Sequence, residues 1–271
     1  MDGAGTAIEH ARAAFRMTHI DLNCDMGEMP RMVSDGSQEA LLRFVSSANI
    51  ACGGHAGDAG TMRETIEQAL HWKVAVGAHP GYEDRANFGR VALQLSLEEI
   101  AESVRRQLKA LDVVAQQCGA EIVHVKAHGA LYNQAARQTG TARAIAEGVG
   151  RWRKDVVLIG LAGSVMVDEF LEAGFAVAAE AFADRRYEAD GSLRSRKFED
   201  AVLSEPESAA LQALRIVEQE NVIATDGSIV GLQAKTICVH GDTPGAVEIV
   251  SAVYRRLMGA GISVRSLRSR K

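Results

Sequence analysis

Short apolar runs alternate along the chain with longer stretches of helical period, the rhythm of strands and helices in a parallel α/β sheet. The runs predict strands over residues 19–25, 47–52, 74–79, 122–127, 156–161, 175–180 and 236–240, about seven βα units. The helices between them carry punctuation. Ser96 and Glu99 have the spacing of a capping box, Ile100, Val104, Leu108, Leu111, Ala115 and Cys118 follow at intervals of three and four, and Gly119 supplies a stop. Asp58 is placed to cap a helix with Met62, Ile66, Ala69 and Leu70 on one face, and Thr243 with Pro244 to open one carrying Val247, Val250, Tyr254 and Leu257. No linker-like stretch and no internal repeat divides the chain, so a single domain over residues 19–271 is expected, preceded by an N-terminal extension, 1–18.

The polar positions within the strands carry the functional signal. Strands of a parallel sheet covered on both faces are normally apolar throughout. In I-D-L-N-C-D, however, Ile20, Leu22 and Cys24 share one face while Asp21, Asn23 and Asp25 share the other. His124, Lys126 and His128 alternate in the same way with Val123, Val125 and Ala127, as do Thr236, Cys238, His240 and Asp242 with Ile237, Val239 and Gly241. If the apolar faces pack under helices, the polar faces turn into a shared interior, which a closed barrel supplies. Polar groups buried there must pair, meet water or hold a ligand, because an unpaired one costs about 1–3 kcal/mol. Taken singly, Asp21 can cap loop amides and His124 can be a satisfied core histidine. Three strands with one inversion point to a site.

Composition narrows the classes. The chain has 271 residues, 47% hydrophobic and 24% charged, as in ordinary globular proteins. Its 35 acidic against 30 basic residues argue against a broad nucleic-acid footprint. Cys24, Cys52, Cys118 and Cys238 show no metal or disulfide spacing and read as reduced thiols. No run approaches the ~18 apolar residues of a membrane helix, and residues 1–18 lack an apolar signal core, so no membrane association and a cytoplasmic location are expected. Met17 is an alternative start, and the basic tail of Arg265, Arg268, Arg270 and Lys271 reads as a solvated end.

His55, His79 and Glu180 fall where strands hand over to loops, the rim on which parallel barrels build active sites. Two charged loops, 81–90 and 183–196, are long enough to be functional. In them Arg85 and Arg90, or Arg185 and Arg186, are spaced to clamp a carboxylate or phosphate, although solvated surface loops would carry the same charges.

Read in order, I-D-L-N-C-D-M-G-E (20–28), S-A-N-I-A-C-G-G-H-A-G-D (47–58), G-A-H-P-G-Y-E-D-R-A-N-F-G-R (77–90), H-V-K-A-H-G-A-L-Y-N (124–133), E-A-F-A-D-R-R-Y (180–187) and C-V-H-G-D (238–242) resemble the LamB/YcsF family. The sequence departs from that pattern at Gly54, where a Phe is usual, and at Ala127, where a Pro is usual. The resemblance implies a single seven-stranded (β/α) barrel similar to the glycoside hydrolase and polysaccharide deacetylase barrels. It also implies the role of the A component in ATP-dependent 5-oxoprolinase: with ATP, Mg2+ and partner subunits B and C, 5-oxoproline and water give glutamate, ADP and phosphate.

Opening a five-membered lactam requires a polarised carbonyl or conversion of its oxygen into a leaving group, which ATP achieves by phosphorylation. Asp25 or His128 is the expected base, and Lys126 the expected cationic catalytic group. Asn23, Asn49, Asp84, Arg85, Glu180 and His240 are assigned to substrate binding. The chain lacks G-x-x-x-x-G-K-[ST], and G-L-A-G-S at 160–164 lacks the lysine, so phosphoryl transfer is expected to depend on the partner subunits. Asp25, His55 and His79, or His128, offer a carboxylate and imidazole set for a divalent metal; a metal-free hydrogen-bond network is the alternative. Two rival functions share the barrel: a stand-alone metal-dependent deacetylase, and a non-catalytic component that binds a small acid.

Overall fold

The computed structural model describes residues 19–267. The N-terminal extension, 1–18, and three basic tail residues, Arg268, Arg270 and Lys271, lie outside them.

Seven parallel strands close into a barrel: β1 (His19–Met26), β2 (Ser47–Ala51), β3 (Ala75–His79), β4 (Ile122–Lys126), β5 (Val157–Leu161), β6 (Ala176–Phe182) and β9 (Thr236–Cys238). Each pairs with the next, and β9 pairs with both β6 and β1 to close the ring. All seven predicted strands are present, within two residues of their expected limits. A two-residue strand, β10 (Ser263–Val264), runs beside the start of β1. Between β6 and β9 lies an antiparallel hairpin of β7 (Asn221–Ile223) and β8 (Ile229–Gly231), which the alternation of long elements did not reveal.

Helices α1 (Pro30–Ser34), α2 (Ser37–Leu42), α3 (Ala59–His71), α4 (Leu97–Gln117), α5 (Gly129–Ala135), α6 (Thr139–Gly150), α7 (Val165–Glu172), α8 (Pro206–Gln219) and α9 (Ala246–Gly259) supply the outer layer. Their starts follow local chemistry. The Asp58 carboxylate accepts from the amides of Gly60 and Thr61 to begin α3, and Ser96 and Glu99 form the expected reciprocal box at α4. The last helix begins later than the Thr243–Pro244 signal: Gly245, with φ +77°, is its N-cap, because the chain first turns through 243–245. The apolar strand faces and inward helix faces form the main core, with Leu22, Ile50, Leu108 and Ile237 fully buried within it.

The polar faces of β1, β4 and β9 point inside, as the alternation requires. Register alignment sets Asp21 beside Thr236, Asn23 beside Ser47 and Cys238, and Asp25 beside Asn49. The β5 side of the same interior is apolar: Val157 is in register with His124 and Ile159 with Lys126, and these two pack with Ala178 and, from the C-terminal segment, Leu267.

Candidate active site

The barrel interior is one connected ladder of polar side chains. At its closed end Asp21 accepts hydrogen bonds from the hydroxyls of Ser46, Ser47 and Thr236. Burial drives its pKa up to about 6 despite those three donors. Thr236 accepts in turn from Asn23 Nδ2 at 2.7 Å, and the same amide reaches Glu180 Oε1 at 3.0 Å. Asn49 Nδ2 donates to Asn23 Oδ1 at 2.7 Å and to Asp25 Oδ1 at 2.8 Å, while Asn49 Oδ1 receives His124 Nε2 at 2.8 Å. His124 fits only because its neighbour is Gly77, where a Cβ would lie 1.9 Å from the ring nitrogen. Burial lowers the His124 pKa to about 3, so it is a neutral interior donor.

One step nearer the mouth, the Lys126 ammonium sits 3.1 Å from Asp25 Oδ1, 3.0 Å from Glu180 Oε1 and 3.1 Å from Cys238 Sγ, beneath the Phe182 ring. Burial alone would favour the neutral amine, but the charges of Asp25 and Glu180 hold its pKa well above the ordinary lysine value. The reciprocal effect acts on Asp25: burial would raise its pKa, yet His79 and Lys126 keep the carboxylate ionised, well below the usual range. Tyr132 donates to the second Glu180 oxygen at 2.7 Å, which leaves that buried carboxylate fully engaged.

At the mouth three histidines from three strand ends meet one glutamate. Glu28 Oε1 is 2.9 Å from His55 Nε2, 3.0 Å from His128 Nδ1 and 3.7 Å from His79 Nε2. Gly27, with φ +70°, turns the chain after β1 so that Glu28 returns over the opening. The His55 and His128 rings stack at 3.6 Å. Burial lowers the His55 pKa to about 4 in spite of its bond to Glu28.

Across the opening, Asp184 is buried and holds His240 Nδ1 at 3.0 Å while its second oxygen accepts the His240 backbone amide at 2.8 Å. Burial would raise the Asp184 pKa, but these contacts with His240 keep it below the usual value. His240 stacks on Phe182 and lines the cavity, and its Nε2 has no protein partner among the described residues. Asp25, Cys238 and His240 each bring a polar atom within 4.8 Å of the others, so the dyad and the lysine cluster address one space. That space opens into a cavity of about 1500 Å³, rimmed by Arg90, Arg194 and Arg196.

Asp25, Lys126, His128, Asn23, Asn49, Glu180, His240, His55 and His79 therefore converge. Asp84 and Arg85 do not. Asp84 accepts from the backbone and side chain of Asn87 to cap a short 3-10 turn, and the Arg85 guanidinium straps the loops together by donating to the Gly53 and Gly57 carbonyls. The expected clamp of arginines divides: Arg90, paired with Asp242, and Arg185, bound to the carbonyls of Ala201 and Arg194, both line the cavity, whereas Arg186 is exposed and does not. His128, one of the two expected bases, turns Nε2 to the Phe88 carbonyl and Nδ1 into the cluster. Glu28 and Asp184 went unassigned in the sequence, although both lie in the motif blocks, because neither sits on a strand alternation.

Polar groups gathered at the carboxyl ends of a closed parallel barrel, with a buried acid–histidine pair and a buried lysine, define an α/β barrel with its candidate active site at the mouth. The chain belongs to the LamB/YcsF family, which it matches over residues 20–271. It is 51% identical over 252 residues to the A component of 5-oxoprolinase from Chloroflexus aggregans, covering 93% of this chain and 100% of that one. Among solved structures it is similar to a lactam utilization protein of Thermus thermophilus, with 40% identity, a TM-score of 0.85 and coverage of 92% and 100%. A family 4 carbohydrate esterase of Streptomyces lividans, 10% identical with a TM-score of 0.50 over 92% of this chain and 93% of that one, shares the fold alone.

Proposed function

We propose that this chain opens the lactam of 5-oxoproline as the A component of an ATP-dependent 5-oxoprolinase, acting with partner subunits B and C. The 5-oxoprolinase relatives supply the substrate, and the Asp184–His240 pair facing the lysine cluster is the observation that carries the chemistry. A histidine whose Nδ1–H is held by a buried carboxylate presents a basic Nε2. In the proposed reaction ATP, with Mg2+, phosphorylates the lactam oxygen in a step that depends on the partners, since this chain has no P-loop sequence. His240 Nε2 then takes a proton from water as the water oxygen bonds to the activated carbon. The same proton goes to the ring nitrogen as the C–N bond breaks, and the proton of the added hydroxyl passes to His240 Nε2 as the carbonyl forms, leaving an acyl phosphate that hydrolyses to glutamate and phosphate. Lys126 stabilises negative charge developing beside Asp25, and Asn23, Asn49 and Glu180 fix the lysine and carboxylate in place.

The test is reconstitution. The full chain is mixed with its B and C partners, ATP and 5-oxoproline, and glutamate, ADP and phosphate are followed with each component omitted in turn. Glutamate formation should require this chain. Full-rate glutamate formation without it would overturn the assignment, and acetate release from acetylated sugars without ATP would replace it by a deacetylase. ATP turnover by this chain alone at the assembly's rate would remove the division of labour between the components.

A further inference from the structure

We infer that Glu28, His55, His79 and His128 form a binding site for one divalent transition-metal cation of the zinc–cobalt class. The inference stands on hydrogen-bond accounting. His79 Nδ1 lies 2.8 Å from the Lys126 carbonyl oxygen, and His128 Nε2 lies 2.9 Å from the Phe88 carbonyl oxygen. A carbonyl only accepts, so each of these nitrogens carries its ring's proton. The opposite nitrogens, His79 Nε2 and His128 Nδ1, are therefore bare lone pairs in the neutral rings. They nevertheless face each other at 3.1 Å, and His128 Nδ1 also faces Glu28 Oε1 at 3.0 Å, so while the rings are neutral no hydrogen lies between them. His55 Nε2 joins the same oxygen at 2.9 Å, and its own Nδ1 is buried without a partner. Acceptors turned toward one another in a buried pocket repel unless positive charge sits among them.

The spacing fits a metal ion. Bonds of about 2.0–2.1 Å to a tetrahedral cation place neighbouring donor atoms roughly 3.3 Å apart. The distances here run 2.9, 3.0, 3.1 and 3.7 Å, with all four donors within 4.8 Å of one another. Backbone carbonyls that fix the outward nitrogens of ligating histidines are the usual outer support of such sites. Two glycines hold the geometry from the loop side. A Cβ at Gly81 would stand 2.8 Å from His55 Nδ1, and one at Gly89 would stand 2.7 Å from His55 Cβ. Asp25 stands outside the set of four: its Oδ2 is 3.3 Å from His79 Nε2, but it is not among the donors that all lie within 4.8 Å of one another, and its other oxygen is held by Lys126 and Asn49. The donor types, three imidazoles and one carboxylate, suit zinc or cobalt better than magnesium or calcium.

Metal content of the full chain tests this without ATP, partners or turnover. Protein stripped with chelator, loaded with Zn2+ and dialysed exhaustively should retain about one equivalent, and Co2+ should give the intense visible absorption of a four-coordinate ion. Zn2+ at about a hundredfold above its dissociation constant should raise the unfolding midpoint by roughly 5 °C. Glu28→Gln keeps the shape and should weaken Zn2+ binding by at least about tenfold, and more than Asp25→Asn does; His55→Ala, checked for folding by circular dichroism, should abolish the cobalt spectrum. Retention below about a tenth of an equivalent by the wild-type chain overturns the site. So does retention by the folded His55→Ala variant with an unchanged spectrum, or Asp25→Asn weakening binding more than Glu28→Gln. Loss of glutamate formation in the reconstituted assembly with metal still bound would count against the proposed reaction and leave the metal site standing.

Discussion

Single residues inside the barrel divide into those that hold charge and those that merely tolerate it. Asp21 belongs to the second kind. Its folded pKa of about 6 lies above the ordinary 3.8, so as pH rises the unfolded chain releases this proton first. The stability it contributes is fully present below about 3.8 and is lost as pH climbs through about 6. Asp21→Asn should flatten that loss: the stability of the wild type relative to the variant, measured by urea unfolding, is expected to fall by about 1–3 kcal/mol between pH 4 and pH 7. A difference independent of pH would show that the three hydroxyl donors outweigh burial. Asp25 and Asp184 behave oppositely, because a fixed partner faces each: Lys126 for the first and His240 for the second. The sequence exposed Asp21, Asn23 and Asp25 through their alternation with apolar neighbours. It hid Glu28 because the turn at Gly27 ends the period of two, and a backbone reversal has no signature in side-chain spacing.

Elements meet through fitted contacts that reach beyond the barrel. Helix α4 inserts Gln107 beneath the loops after β2 and β3, where its Nε2 donates to the Gly81 carbonyl at 2.7 Å and its Oε1 accepts the Gly81 amide at 3.1 Å. The side chain occupies space that a Cβ at Gly54 would need, 2.3 Å from Gln107 Oε1. The departure from the family's usual Phe is thus coupled to a glutamine on a different element. Gly54→Phe alone should cost about 1–3 kcal/mol through overpacking, and combining it with Gln107→Ala should recover part of that, a coupling of about 0.5–3 kcal/mol in a double-mutant cycle. Strict additivity would mean that the two side chains do not compete for one volume. Element limits were legible where local chemistry decides them, as at Asp58 and Ser96. The β7–β8 hairpin was missed because each strand has three residues and Ile223 and Ile229 point outward, so neither shows a buried period.

At the scale of the whole molecule, two sides of the barrel interior have different work. Polar groups at the carboxyl ends of the strands converge on the cavity, whereas the β5 side of the interior is an apolar cluster of Val157, Ile159 and Ala178 with Leu267 against them. The closed ring was legible because three inverted strands need a common interior; the packing of Leu267 was not, because it follows the last helix and belongs to no periodic element. Substitutions on the two sides should therefore separate stability from turnover. Leu267→Ala removes packing from a partly buried position and should lower stability by about 1–2 kcal/mol, with kcat per folded chain unchanged in the reconstituted assembly. Asp184→Asn keeps the side chain's shape but takes away the carboxylate that sets the His240 tautomer and orientation. It should lower kcat about 10²–10⁴-fold, with KM and the unfolding midpoint much less affected. If Leu267→Ala instead reduced kcat while Asp184→Asn left it intact, catalysis would not reside at the end where Asp25, Lys126 and His240 meet.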